Sequence, residues 1–380
     1  MSVARAFAAR ALLPAIAVYI GLALVSGFDR AAAAHPELAR WVPAPFAAQA
    51  PASAARRFVT SGLAAPALEP ARQALAADPL DPGAAGLLGT ALLARGQGEA
   101  ADRAFRHSAR LGWREPLTQS YWLELALQRG DIARAVVRFD ALARQYSGAP
   151  AVTAAADRIE ASPAGRAALS ARIARGTGWA LGYAAVTPAD PPERLARRGE
   201  VLLGAARLGR RLGCEASAGL AAALAPHDPM LGAALWREHC PDASRAGALS
   251  DPDFAARRAR PRVPYEWDIA ADGALEAQFR RVEGFSGGEA LQLRSTAPSG
   301  LRVLSQLVPL TPGRYRLTWL ARPQTGRLRA ALTCTRDAAM PAPDGVEIVV
   351  DASCPARWLQ FWLTPGSEPV LLGQVRLERL

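Results

Sequence analysis

Few residues in this sequence could carry chemistry, and each group demands particular surroundings. Gly284-Phe285-Ser286-Gly287-Gly288 has the spacing that exposes a nucleophilic serine on a sharp strand-to-helix turn. That arrangement needs a helix after it and a histidine later in the chain. The four histidines, at 35, 107, 227 and 239, all come earlier, and a strand-like run, Glu289 to Arg294, follows. The pattern therefore predicts a turn between two strands. Gly176-Thr177-Gly178-Trp179-Ala180-Leu181-Gly182 is spaced somewhat like a dinucleotide-binding loop, but it is one residue too long and no strand precedes it. It reads as a helix terminus. The chain contains no lysine, which removes the residue a P-loop requires. His239-Cys240 has no second ligand pair at metal spacing and reads as a helix end with a buried cysteine. No cofactor and no metal site are expected.

Carboxylates gather at Glu266, Asp268, Glu276 and Glu283. Two acids at the right separation hydrolyse glycosides, but sequence spacing fixes no distance, and solvated acids on a sheet give the same pattern. The run Trp358-Leu359-Gln360-Phe361-Trp362-Leu363 alternates. Leu359, Phe361 and Leu363 point one way, and Trp358, Gln360 and Trp362 the other. Two indole rings flanking an amide suit a sugar ring. Arg302, Gln306, Arg329 and Thr333 have the parity to join that face. The alternative is that the face packs against another domain. No catalytic constellation emerges, and the expectation is a protein that binds rather than an enzyme.

The elements that must position these residues follow from composition and periodicity. A chain of 380 residues, half of it hydrophobic and rich in Ala, holds two or three domains with much helix. All 45 basic residues are Arg and the net charge is +11. A strong codon bias explains part of this. The remaining reading is attraction to anionic lipid, polysaccharide or nucleic acid, but no dense basic cluster with interleaved aromatics is present, and nucleic-acid binding is not expected. The four cysteines, Cys214, Cys240, Cys334 and Cys354, form no C-x-x-C pair. In an oxidising compartment Cys214–Cys240 and Cys334–Cys354 are natural bridges. Four small buried hydrophobic side chains are the other reading.

At the N-terminus, Arg5 and Arg10 precede an uncharged run, Ala11 to Phe28. Eighteen helical residues reach about 27 Å, enough to cross the hydrocarbon core. The sequence predicts residues 1–10 in the cytoplasm, a transmembrane signal anchor at 11–28 and the remainder outside, in a bacterial periplasm. A cleaved signal peptide is the alternative, because Ala31 to Ala34 offers small residues to a peptidase. Residues 29–58, with Pro36, Pro43, Pro45 and Pro51, read as a semi-extended linker.

A 34-residue shift lays the stretch from Pro82 to Pro150 on itself. Arg95-Gly96 falls on Arg129-Gly130, Ala101 on Ala135 and Phe105 on Phe139. Such a period marks stacked two-helix units. Leu88-Gly89 and Trp122-Leu123 fill corresponding places in the first helix of each unit, and Ala101/Phe105 and Ala135/Phe139 in the second. On these residues the stretch resembles the tetratricopeptide repeat (TPR) family over about two and a half units. It departs from the family where Trp113 and Ser147 replace the proline ending the second helix. The resemblance implies an all-α, TPR-like solenoid whose groove docks a partner protein. Residues 59–247 are assigned to it, with the stretch after Val152 read as degenerate repeats or as a separate small helical domain.

Near Ser250-Asp251-Pro252 the period falls from 3.6 to 2. Strands are predicted at 265–270, 274–281, 289–295, 300–308, 313–323, 327–335, 345–350, 357–364 and 369–379. Short strands without helix imply an all-β sandwich over 248–380. Leu310-Thr-Pro-Gly-Arg-Tyr315-Arg-Leu-Thr-Trp319-Leu-Ala-Arg322 resembles the strand after a Pro-Gly turn in carbohydrate-binding-module-like, galactose-binding-like jelly rolls. That resemblance concerns fold, and polysaccharide binding does not follow from it. The whole arrangement is similar to bacterial repeat proteins associated with exopolysaccharide assembly or export. The expected function is a membrane-anchored scaffold that binds a protein partner, with a glycan-binding or glycan-active envelope protein as the alternative.

Overall fold

The computed structural model describes residues 2–187, 189–241, 245–255, 261–341 and 347–380, with side chains from residue 14 onward except at 245 and 246. It divides into two compact units, Met1–Ala155 and Ala156–Leu380. The change from helix to strand falls inside the second unit, after residue 239.

The first unit is helical. Helix α1 runs from Ser2 to Ala32. Its Pro14–Ala32 part has 19 residues and a mean hydropathy of 1.4, so it has the length and composition to cross a membrane. A membrane anchor and a signal sequence share these properties. The following stretch is not the extended spacer expected at 29–58. It folds as two 3-10 turns, Pro36–Trp41 and Ala44–Phe46, and helix α2, Gln49–Thr60. Each proline there sits where a missing N–H costs nothing, in a loop or a first turn. Asp29 organises the fold: its carboxylate accepts from the backbone N–H groups of Ala48, Gln49 and Ala50 at 3.0–3.3 Å. It thereby caps the N-terminus of α2, whose own N-cap, Ala48, has no side-chain acceptor.

Helices α3 (Leu68–Ala77), α4 (Pro82–Ala94), α5 (Gly98–Leu111), α6 (Pro116–Gln128), α7 (Ile132–Tyr146) and α8 (Pro150–Glu160) follow. They pair as antiparallel neighbours: α2 with α3, α4 with α5 and α6 with α7, while α2, α4 and α6 lie side by side. The 34-residue period recurs in the caps. Asp81-Pro82 and Glu115-Pro116 start α4 and α6, each acidic side chain accepting from the first turn. Gly96 and Gly130 take left-handed conformations, φ +73° and +69°. Gln97 N then donates to Leu92 O, and Asp131 N to Ala126 O, both at 2.9 Å. This closure satisfies carbonyls that a helix end leaves unpaired.

Small residues let the paired helices approach. Ala101 and Ala135 are fully buried. A Cβ on Gly89 would lie 2.8 Å from the Phe105 ring, so α4 meets α5 at a place only glycine allows. The Phe105 ring also stacks on Tyr121 of α6, centroids 4.2 Å apart and planes 13° from parallel. One ring therefore fills both the space within its own hairpin and the space before the next.

The second unit opens with α9 (Pro163–Ala174), α10 (Ala180–Ala184), α11 (Pro192–Arg207), α12 (Cys214–Leu224) and α13 (Pro229–His239). A Cys214–Cys240 disulfide ties the start of α12 to the end of α13. A two-stranded ribbon, β1 (Arg245–Ala246) and β2 (Leu249–Ser250), leads to two antiparallel sheets. The remaining strands are β3 (Asp268–Ile269), β4 (Leu275–Arg281), β5 (Glu289–Ser295), β6 (Leu301–Pro309), β7 (Gly313–Arg322), β8 (Leu328–Thr333), β9 (Glu347–Val350), β10 (Ala356–Leu363) and β11 (Gly366–Arg379). One sheet has the order β3-β6-β10-β8, the other β4-β5-β11-β7-β9. Every predicted strand has a counterpart among these, except that residues 345 and 346 lie outside the described ones. Leu291, Leu293, Leu304, Tyr315, Leu317, Leu359, Phe361 and Leu372 form the core the sheets share. Arg314 and Arg316, on the outer side of β7, pair with Glu347.

Candidate functional site

Residues Trp358, Gln360 and Trp362 alternate outward from the core on β10, as their spacing predicts. The register places Trp358 opposite Thr333, Trp362 opposite Arg329 on one side, and Trp362 opposite Arg302 on the other. Six of the seven expected face residues thus come together. Gln306 does not. The register slips between Phe361 and Trp362, so Gln306 faces Leu359 and turns to the core side. A one-residue bulge inverts the parity of everything beyond it. There, fully buried, Gln306 accepts from Ser250 N at 3.2 Å and donates to Ser250 O at 3.1 Å. It sews β2 to β6.

The face itself is roofed by the chain's own residues 334–341. Gln360 donates to Thr333 Oγ1 (2.8 Å) and Thr335 O (3.0 Å), and accepts from Arg302 Nη1 at 3.4 Å. Arg302 also donates to the backbone carbonyl of Arg336, and Arg329 to Pro341 O at 3.2 Å. The Arg336 guanidinium lies over the Trp358 ring, 5.1 Å from its centroid, and pairs with Asp268. The Cys334–Cys354 disulfide fastens the start of this roof to the loop before β10. Trp362 is 4% exposed and Gln360 0%. The two indoles do not form an open platform: Trp362 is buried, and Arg336 of this loop lies over Trp358.

Beside the roof lies a cleft of about 1300 Å³, lined among others by Phe254, Glu266, Trp267, Asp268, Arg336 and Trp358. It brings together two of the four carboxylates singled out by the sequence, Glu266 and Asp268. Glu276 sits near Arg294 at 3.8 Å and, like Glu283, does not line the cleft. Glu266 is held by structure: Trp236 Nε1 donates to it at 2.7 Å and Ser250 Oγ at 2.5 Å. That carboxylate joins α13 to the strands. Tyr265 reinforces the joint by donating to Pro229 O at 3.1 Å, and burial pushes its phenol well above the ordinary tyrosine range.

The remaining motifs resolve into structure. Gly284–Gly288 forms the tight turn between β4 and β5, with Ser286–Gly288 as a 3-10 turn. Gly176 closes α9 at φ +86°. His239 accepts from Leu212 N at 3.0 Å and donates its other ring nitrogen to Leu202 O at 3.1 Å. Burial lowers its pKa, so the neutral ring acts as a peg between α11 and α13. Among the described residues no three His, Cys, Asp or Glu side chains are grouped as metal ligands.

Among the buried acids that sequence reasoning misses are Glu115 and Glu160. Glu115 caps α6 by accepting from Leu117 N (3.1 Å) and Thr118 N (2.5 Å). A Cβ on Gly86 would lie 2.5 Å from its Oε2, so a glycine of α4 makes its berth. Burial raises the Glu115 pKa, against the hydrogen bonds that lower it. Glu160 accepts from Tyr183 Oη at 2.6 Å and lies 4.0 Å from Arg197. Its pKa is raised by the same cause. Both read as ordinary surface acids in sequence, and only the glutamate directly before a helix-starting proline gave a hint. The chain matches no protein-family model and no curated protein.

Proposed function

We propose that this protein is a membrane-anchored scaffold that binds a protein partner on TPR-like hairpins and performs no catalysis. The carrying observation is the interlock of Gly89, Phe105 and Tyr121, set within caps that recur every 34 residues. It supports a stack of hairpins whose first helices share a side, and such a side recognises extended peptides in repeat proteins. The retained-anchor reading is supported by Asp29, Ala32 and Ala33. Asp29 caps α2, Ala32 is buried, and Ala33 O accepts from Ser53 Oγ at 2.9 Å. Cleavage after Ala34 would strip these groups from the folded unit. Arg5 and Arg10 then orient the bulk of the chain outward, into a periplasm. The jelly-roll reading of the two sheets, and a setting in exopolysaccharide assembly or export, belong to the same proposal.

Photo-crosslinking in cells tests it. A benzophenone side chain at Ser120, exposed on α6, should trap one discrete protein. The same group at Arg103, exposed on α5, should not. Equal yields from both positions, or none from Ser120, contradict the proposal.

A second reading, glycan recognition by the sheets, is favoured by the cleft beside Trp267 and Trp358. Titration of the full chain with oligosaccharides, followed by indole fluorescence, separates it. A saturable change lost in Trp267→Ala supports it, and a flat titration rejects it.

A further inference from the structure

The end of α1 leads into an apolar surface on which Trp41 and Phe46 are exposed. From Trp41 to Ala55 the chain carries no charged residue. Val42 is buried and pins this stretch, while Trp41 and Phe46 turn outward, 62% and 49% exposed. Pro43, Ala44 and Pro45 between them are exposed as well. The 3-10 turn Pro36–Trp41 packs back against α1, and Ala44–Phe46 touches it too. The turn is fastened there by His35 N donating to Ala31 O at 2.9 Å and by the Asp29 cap on α2. The two aromatic rings are therefore held beside the last turns of α1 instead of trailing on a linker. On α1 itself Val18, Tyr19 and Leu24 are exposed, as residues facing lipid would be.

We infer that Trp41 and Phe46 form a collar that seats in the headgroup region of the bilayer around the outer end of α1. Three features select lipid as the occupant: the rings adjoin the end of the apolar span, the surface between them lacks charge, and Arg40 flanks Trp41 with its guanidinium 5.4 Å from the ring centroid. Indole rings beside a basic side chain favour the membrane–water interface, where the ring is half immersed and the cation meets phosphate. Because Asp29 couples α1 to α2, the collar fixes how the first hairpin stands on the membrane. The inference rests on the anchor reading of α1.

The test uses the full chain in nanodiscs of phosphatidylcholine and phosphatidylglycerol. Trp41 emission is isolated as the difference between the native protein and Trp41→Phe. Phosphatidylcholine brominated near the headgroup should quench that difference emission strongly, lipid brominated near the chain ends should quench it less, and aqueous iodide should leave it nearly unchanged. Trp113, also exposed in the first unit and isolated through Trp113→Phe, should show the reverse. Iodide quenching of Trp41 without bromolipid quenching overturns the inference. So does shielding of Trp41 from both quenchers, which marks contact with a second copy. A nitroxide on Leu22→Cys reports α1 separately. If that label lies in the bilayer while Trp41 does not, the collar alone fails. If the protein is not retained in the nanodisc, the anchor reading fails with it.

Discussion

The interlocked hairpins of the first unit and the roofed face of β10 in the second both fill space around aromatic rings, by opposite routes. In the hairpins the partners are near in sequence: Gly89, Phe105 and Tyr121 lie within one repeat length, and the caps on either side recur. On the β10 face they are far apart and unrepeated. Arg336 covers Trp358 and reaches Asp268, and Arg302 reaches Gln360 across 58 positions. The hairpin contact is steric and apolar, and losing a ring there leaves a void. The roof is polar and held by one disulfide, so it can be loosened without emptying the core.

The largest effect should therefore come from the hairpins. Phe105→Ala removes a buried ring shared by two hairpins and should cost about 3–5 kcal/mol in denaturant unfolding of the first unit. The loss should extend to α6, which Phe105 contacts through Tyr121. A smaller, more confined loss is expected in the second unit. The Cys334→Ala/Cys354→Ala variant opens a loop of sequence separation 20 and should cost about 2–4 kcal/mol. Hydrogen exchange should then accelerate across 334–341 while the core strands β5 and β11 stay protected. Acceleration spread evenly over both sheets would erase the contrast between roof and core.

Asp29→Ala should cost about 1 kcal/mol, the ordinary worth of a helix N-cap. The loss should appear as fraying of Ala48 to Ala50 in hydrogen exchange, with α6 and α7 unchanged.

Titration gives the smallest effects, and they have opposite signs in the two units. Burial raises the Glu115 pKa above its ordinary 4.5. Its contribution to stability is thus complete below pH 4.5 and is lost as pH rises through the raised value. Glu115→Gln should remove that decline from the first unit's stability profile. Burial lowers the His239 pKa below 6.5. Its contribution is present above pH 6.5 and is lost as pH falls through the lowered value. His239→Gln should flatten the second unit's profile on that side. Urea midpoints measured across pH for each variant check both.

Legibility in the sequence follows the same division. The 34-residue period is readable because the caps, the helix-ending Gly96 and Gly130 and the buried Ala101/Phe105 and Ala135/Phe139 pairs repeat, whereas the Gly89–Phe105–Tyr121 interlock does not, since Leu123 and Ala155 stand one period later. The strands were readable from alternation, and β5 begins and ends where its pattern does, at Glu289 and Ser295. Alternation puts Gln306 on the wrong face because a bulge leaves no mark in an alternating run. The stretch 29–58 looks extended in sequence because its prolines occupy loops and first turns, where they are compatible with folding. Its organising group, Asp29, caps a helix 20 residues away. The roof over β10 was invisible because long-range polar contacts have no period. Of the candidate site, sequence supplied the face of Trp358, Gln360 and Trp362 but not its cover.

The Phe105 ring joins one hairpin to the next through Tyr121. A double-mutant cycle between Phe105→Leu and Tyr121→Leu, measured by urea unfolding of the full chain in detergent, addresses that contact alone. Stacked rings predict a coupling of about 0.5–1.5 kcal/mol. Additivity of the two substitutions within about 0.3 kcal/mol would contradict it.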